Sequence, residues 1–411
     1  MLLKNKEAKV FKSLIVCSFV VVMSSSPGCE SCDQYSPVKP SSITSTEEGS
    51  SALSNAKEAL GDLLTGPEIP KTINGVELIT VKGWFANIYP WGYVPEQSTV
   101  HPVPRLWTPG QAPPSPFQMA EQCRQIKEFG GGAVVLEYSP NPTLGWHNYW
   151  LSNGFATGCG PFFLLYEHVN GMQFIPVDGP KDMNNPYNRK VFKEDIDFMF
   201  KNVVVLNQSR YITVNGRAII YLWSSVQMTG DFASLLEETK KEYPVFFIGS
   251  GEVWGQPNDV DSVARIKALD GFMEYSLGGR DNYLRAVQDY NNASFSWLGY
   301  LRNLEVETGK RYVFIPTFQA AYDDTSVIPK RNNPPMYARS RDEVKYHAEM
   351  IRSGMGSVYD FSAGPFVVYS ELPEGAAVIE SQCLPATMDT PGRFVGCGTA
   401  RLQILKEYFG W

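Results

Sequence analysis

From residue 76 onward the chain alternates between two kinds of segment. Eight short apolar runs of β-forming residues stand along it, and stretches with helical periodicity follow all but one of them. The apolar runs are 76–89, 132–139, 161–168, 217–224, 244–251, 270–279, 311–319 and 364–370. Helical stretches at 116–130, 190–204, 232–243, 260–269, 283–309 and 341–354 stand between them, and 398–411 closes the chain as a helix. Strands that are apolar along their whole length, such as "GAVVLEYS" and "PVFFIGSG", must be covered on both faces. Parallel strands joined by crossover helices meet that demand. Eight such units predict an α/β fold, a (β/α)8 TIM-type barrel with long βα loops. A doubly wound open sheet is the competing solution. It would carry a glycine-rich turn after the first strand, where "ANIYPWGYVPEQ" stands instead.

The amino-terminal residues follow a different logic. Lys4, Lys6, Lys9 and Lys12 precede the apolar run 13–23, and "SSSPG" then leads to Cys29. A basic start, a short apolar core and a small-residue end predict a signal peptide over 1–28. The apolar run is short for a membrane-spanning helix. Gly28-Cys29 resembles the end of a bacterial lipoprotein signal and makes Cys29 the expected lipidation site, although Ser26 and Pro27 stand where such signals prefer Leu and a small residue. Plain secretion, with Cys29 incidental, is the alternative. Residues 29–60 are rich in Ser, Thr and Pro and predict a flexible tether. Residues 61–411 then form a single catalytic barrel. The expected location is the bacterial outer membrane or cell surface, held by a lipid anchor, or otherwise the periplasm or the medium. Among the seven Cys, Cys383 and Cys397 bracket a polar loop and are the best disulfide pair, while Cys123 reads as a small buried hydrophobe in a helix.

Charge and residue types narrow the chemistry. A net charge of −7 argues against a nucleic-acid partner. Four His, none at zinc spacing with Cys, predict no metal site, and no motif calls for a cofactor. There is no GxSxG for a serine nucleophile. Barrel enzymes draw their catalytic groups from the carboxyl ends of the strands. Here those ends hold acids beside aromatics: Tyr89 and Trp91, Glu137, Glu167, Tyr221 and Trp223, Glu252, Glu274 and Tyr275, Tyr322 and Asp323, then Glu371 and Glu374. Breaking a glycosidic bond needs a proton donor and a second carboxylate near the sugar. The same residues could equally be loop solvators, ion-pair partners and core aromatics.

The order of "IYPWGY", "YEH", "NGRAIIYLW", "DGFMEYS", "IPTFQAAYDD" and "YSELPEG…IE" resembles glycoside hydrolase families 99 and 71 over residues 77 to 380. The resemblance implies a (β/α)8 endo-α-mannosidase-like enzyme acting on an oligo- or polysaccharide. Its sharpest piece is strand eight. Where the family reads Asn-Glu-Trp-x-Glu-Gly, this chain reads Ser370-Glu371-Leu372-Pro373-Glu374-Gly375. By that match Glu371 is the base acting on the sugar 2-hydroxyl and Glu374 the general acid and base, with retention of configuration. Glu167 matches a substrate-contacting Glu. Tyr89, Trp91, Tyr221, Trp223, Tyr275, Tyr322 and Asp323 are the implied sugar contacts. Ser370 and Leu372 depart from the family's Asn and Trp, and one residue is added before Ile379-Glu380. The departures leave open a catalytically inactive, carbohydrate-binding barrel.

Overall fold

Eight parallel strands close into a ring. The structure is a computed structural model. It describes residues 72–73, 76–77, 83–88, 123–124, 126–138, 161–167, 174–176, 179–277, 282–322, 336–338, 340–355, 368–372 and 400–410. Strand β1 (Trp84–Ile88) pairs with β2 (Gly131–Tyr138), and β2 pairs with β3 (Phe162–Tyr166). β4 (Arg217–Leu222), β5 (Val245–Gly249) and β6 (Gly271–Met273) continue the order. β7 comes in two pieces, Val313–Ile315 and Thr317–Phe318, on either side of Pro316. Its first piece pairs with β6 and its second with β8 (Val368–Leu372), which pairs in turn with β1. The (β/α)8 ring is therefore complete. Proline has no N–H for the ladder. The next N–H, that of Thr317, turns outward and donates to the Tyr290 hydroxyl at 2.7 Å.

Side chains alternate across the ring. Phe85 and Phe163 meet edge-on with ring centroids 5.3 Å apart. Residues in register face the same way. Asn87 is in register with Val135, Glu137 with Leu165, Leu165 with Tyr221, and Tyr221 with Ile248, so these all face inward. The other parity meets the helices. Phe192 of α1 (Pro186–Met199) packs against Tyr166 and Phe247. α2 (Phe232–Glu242) and α3 (Val260–Ala268) follow β4 and β5. Phe272 packs on Trp297 of α4 (Tyr283–Thr308), and Phe318 stacks on His347 of α5 (Arg341–Met355). α6 (Ala400–Phe409) ends the chain and sets Phe409 against Phe318.

Helix ends follow local chemistry. Asp259 and Ser262 form a reciprocal capping box at α3. Asn282 caps α4 by accepting from the Arg285 N–H at 3.0 Å, and Gly309, at φ +68°, ends it. α1 begins earlier than its periodicity predicts, at Pro186, because Asn185 caps it and proline suits the first turn. Residues 200–204 continue it as a π-helical turn.

Three expectations are corrected. The apolar run 76–89 is not one strand: Thr72–Ile73 and Val76–Glu77 form a small antiparallel pair, and the barrel strand starts at Trp84. Gly83 separates them at φ +98°, where a Cβ would lie 2.0 Å from the Gly130 carbonyl oxygen. The eighth strand, expected to stop at residue 370, runs on through Leu372 and includes Glu371. Cys123 is not a free buried thiol but is disulfide-bonded, to a residue outside the described ones. Cys383 and Cys397 fall outside the described residues, as do the expected signal peptide, Cys29 and the tether. Among the described residues no helix is long and apolar enough to cross a membrane.

Candidate active site at the carboxyl ends of the strands

The strand ends converge on one face of the ring, and β8 reaches it irregularly. Tyr369 is in register with Ala86 and Leu372 with Ile88. Ser370 and Glu371 therefore share the position opposite Asn87. This is a β-bulge, a device that bends a strand and re-aims its residues beside functional sites. Glu371 thus lies at the junction of β8 and β1. Glu374, Tyr89, Trp91 and Asp323 lie outside the described residues. Tyr322 lies in a short strand, Ala321–Tyr322, paired with Met336–Tyr337 beyond β7.

The other sequence-derived residues are distributed around the mouth. Glu167 follows β3, nearly buried, and its N–H donates to the Tyr138 carbonyl at 3.1 Å. Trp223 and Tyr275 come together at the ends of β4 and β6, partly buried and edge-to-face with centroids 6.1 Å apart. Tyr221 sits a layer below them. It is fully buried, and its hydroxyl donates to the Met273 carbonyl at 3.1 Å. Burial, with the Glu274 charge next, pushes its phenol well above the ordinary range.

Two strand-end acids are tied to the frame. Glu252 receives a two-pronged ion pair from Arg265, at 2.8 and 3.0 Å, and a bond from the Ser225 hydroxyl at 2.8 Å. Glu252 and Arg265 edge a cleft of about 310 Å³ between the loops after β4 and β5. That cleft is away from the β8–β1 junction and its one buried acid is already paired, so it is a weaker candidate than the junction. Glu274 accepts the N–H groups of Gly251 and Val253, each at 3.0 Å. Burial pushes its carboxyl up to about 8 against the pull of those bonds. Arg280, its possible partner in the sequence, lies outside the described residues. His347 is a core residue, buried and stacked on Phe318 at 4.9 Å, and burial drives it down to about 3.

Sequence reasoning passed over Asn87 and counted Glu137 among the strand-end acids without giving it a role. Both are 2% exposed, both face inward, and among the described residues no group hydrogen-bonds either side chain. The signal for them is a polar residue at an inward position of an otherwise apolar strand.

No family model and no curated protein matches this sequence. Solved structures do resemble the fold. One is a glycoside hydrolase-like protein, at TM-score 0.54 and 15% identity, covering 86% of this chain and 99% of that one. Another is the family 99 endo-α-mannosidase of Bacteroides thetaiotaomicron in complex with bis-tris-propane. It matches at TM-score 0.53 and 12% identity, covering 80% of this chain and 97% of that one. The likeness is one of fold, a (β/α)8 barrel.

Proposed function

We propose that this chain is a retaining glycoside hydrolase of endo-α-mannosidase type, acting on an α-linked polysaccharide or glycan. The observation that carries the reading is the bulge in β8. It sets Glu371 at the carboxyl end of the ring, within a Glu-x-x-Glu-Gly segment and beside the inward-facing Asn87. The barrel fold and the Trp223–Tyr275 pair support it, since flat aromatic faces suit sugar rings.

In this mechanism Glu371 takes the proton of the sugar 2-hydroxyl. The freed oxygen attacks the anomeric carbon as the bond to the leaving oxygen breaks, and Glu374 protonates that oxygen. A 1,2-anhydro sugar results. Water then opens it at the anomeric carbon, Glu374 takes the water's proton, and Glu371 returns its proton to the 2-oxygen. Two inversions at one carbon give retention. Glu167, Tyr89, Trp91, Tyr221, Trp223, Tyr275, Tyr322 and Asp323 are proposed to hold or frame the sugar. Export with a lipid anchor at Cys29 would place the enzyme where extracellular glycan arrives.

The test is product release from α-mannans, α-glucans and host-type glycans, with Glu374→Gln alongside. Loss of the acid should lower turnover by about 10²- to 10⁴-fold and leave glycan affinity nearly unchanged. The anomer released first, read by NMR, should be the α form. Binding without turnover by the parent would make the chain a carbohydrate-binding barrel instead.

A further inference from the structure

Most of the buried acids around the barrel have visible employment. Glu252 is paired with Arg265. Asp270 lies within 3.3 Å of Arg217, Lys240 and Lys310. Asp195 accepts the Tyr166 hydroxyl at 2.6 Å, and Glu274 accepts two backbone N–H groups. Glu137 differs. Neither of its carboxyl oxygens has a donor among the described residues, and neither the oxygen nor the nitrogen of the Asn87 side chain has a partner. Two buried polar side chains left open, on adjacent strands, are a standing demand for hydrogen bonds that something other than the frame must meet.

Their placement says where that demand is directed. Each is the penultimate residue of its strand, and both face inward. Asn87 lies opposite the bulge that carries Glu371. Glu137 is two residues beyond the register partner of Asn87. Strand spacing and rise put their Cα atoms about 8 Å apart on the diagonal, a span that the two side chains can close around one pair of sugar hydroxyls.

We infer that Asn87 and Glu137 form a hydroxyl-recognition cradle beside Glu371, one that accepts a neutral sugar and rejects an anionic one. This rests on the carbohydrate reading and deepens it by naming the class of sugar. The donor–acceptor inventory selects the ligand. The Glu137 carboxyl offers two oxygens as acceptors, and the Asn87 amide both donates and accepts. A hydroxyl does both, so a vicinal pair satisfies carboxyl and amide together. An ammonium group has donors alone and leaves the Asn87 NH₂ unmatched. A uronate or sulfate has acceptors alone and would bring its charge into a buried site whose two open groups are a carboxyl and an amide, neither of them a cation.

The experiment is calorimetric titration of the full chain with four probes: an α-mannan, dextran, and the sulfated derivative of each. The parent should bind at least one neutral probe at least about tenfold more tightly than its sulfated form. Glu137→Gln keeps shape and exchanges one carboxyl oxygen for an amide NH₂, a donor that suits an anion. It should weaken neutral binding by about tenfold, narrow the neutral-to-sulfated ratio, and leave the melting temperature no lower. Asn87→Ala should weaken neutral binding as well. A parent that binds sulfated and neutral probes equally overturns the cradle, and this arm needs no variant to fold. So do folded variants whose neutral affinity stays within twofold of the parent. In both cases the carbohydrate reading survives. A parent that binds none of the four probes removes that reading and the cradle together.

Discussion

The two sides of the barrel mouth treat acidic residues differently. On the side of β5 and β6, Glu252 and Glu274 are buried and fully engaged, one by Arg265 and Ser225, the other by the Gly251 and Val253 N–H groups. On the side of β1 and β2, Glu137 and Asn87 are just as deeply buried and, among the described residues, have no partners. Residue type and depth are the same, and the difference lies in what surrounds them. An acid surrounded by donors holds loops to a frame. An acid kept away from donors is held ready for a ligand that brings its own.

Substitutions on the two sides should therefore shift stability in opposite directions. Arg265→Met leaves Glu252 buried with a single hydroxyl for company. Breaking a buried pair in this way should cost about 3–5 kcal/mol, seen as a lower midpoint in urea unfolding. Glu137→Met, across the mouth, should do the reverse. Replacing an unsatisfied buried polar group with an apolar side chain of similar length should raise stability by about 1–3 kcal/mol, at the expense of glycan binding. If Glu137→Met instead destabilises the protein as Arg265→Met does, Glu137 belongs to the frame and the two sides do not differ.

A further difference is a pH slope on the β6 side. Burial raises the Glu274 carboxyl from 4.5 to about 8 in the folded chain. Between those values the folded chain holds a proton that the unfolded chain has released. Stability attributable to Glu274 must then fall as pH rises through this window and level off above about 8. Asp195, pushed up to about 7 chiefly by burial, adds a slope of the same sign. The measurement is the difference between parent and Glu274→Gln in thermal unfolding from pH 5 to 9, which removes the Asp195 share. A flat difference would mean that Glu274 is ionised in the fold and that the two backbone N–H groups outweigh burial.

Much of this architecture is legible in the sequence. Eight apolar runs become eight strands because a strand covered on both faces has no choice but to be apolar throughout. α4, expected over 283–309, runs from Tyr283 to Thr308 between two visible stops, Asn282 and Gly309. The break at Gly83 was hidden because its cause is the Gly130 carbonyl, far along the chain. The disulfide of Cys123 was hidden because spacing does not set connectivity. In the site, the Glu-x-x-Glu-Gly segment could be picked out by eye, though Glu371 proves to lie inside its strand, at a bulge. The contrast between Glu137 and Glu252 could not be seen. Both are strand-end Glu residues in the sequence, and the fold alone brings Arg265 to one of them.

Pro316 has a consequence for how the ring opens. By splitting β7 it leaves that strand one short piece for each neighbour, so β8 is stitched to it through Thr317–Val368 and Phe318–Tyr369. The β1–β2 seam, in contrast, runs in unbroken register from Phe85 to Ile88. A closed ring under thermal agitation parts where its stitching is short, and one such hem, as short as that between β5 and β6, borders the strand bearing Glu371. Hydrogen exchange should find the Thr317 and Phe318 amides trading with solvent well before those of β2. A seam where the ring parts easily and the place where a glycan would be cut would then share one strand.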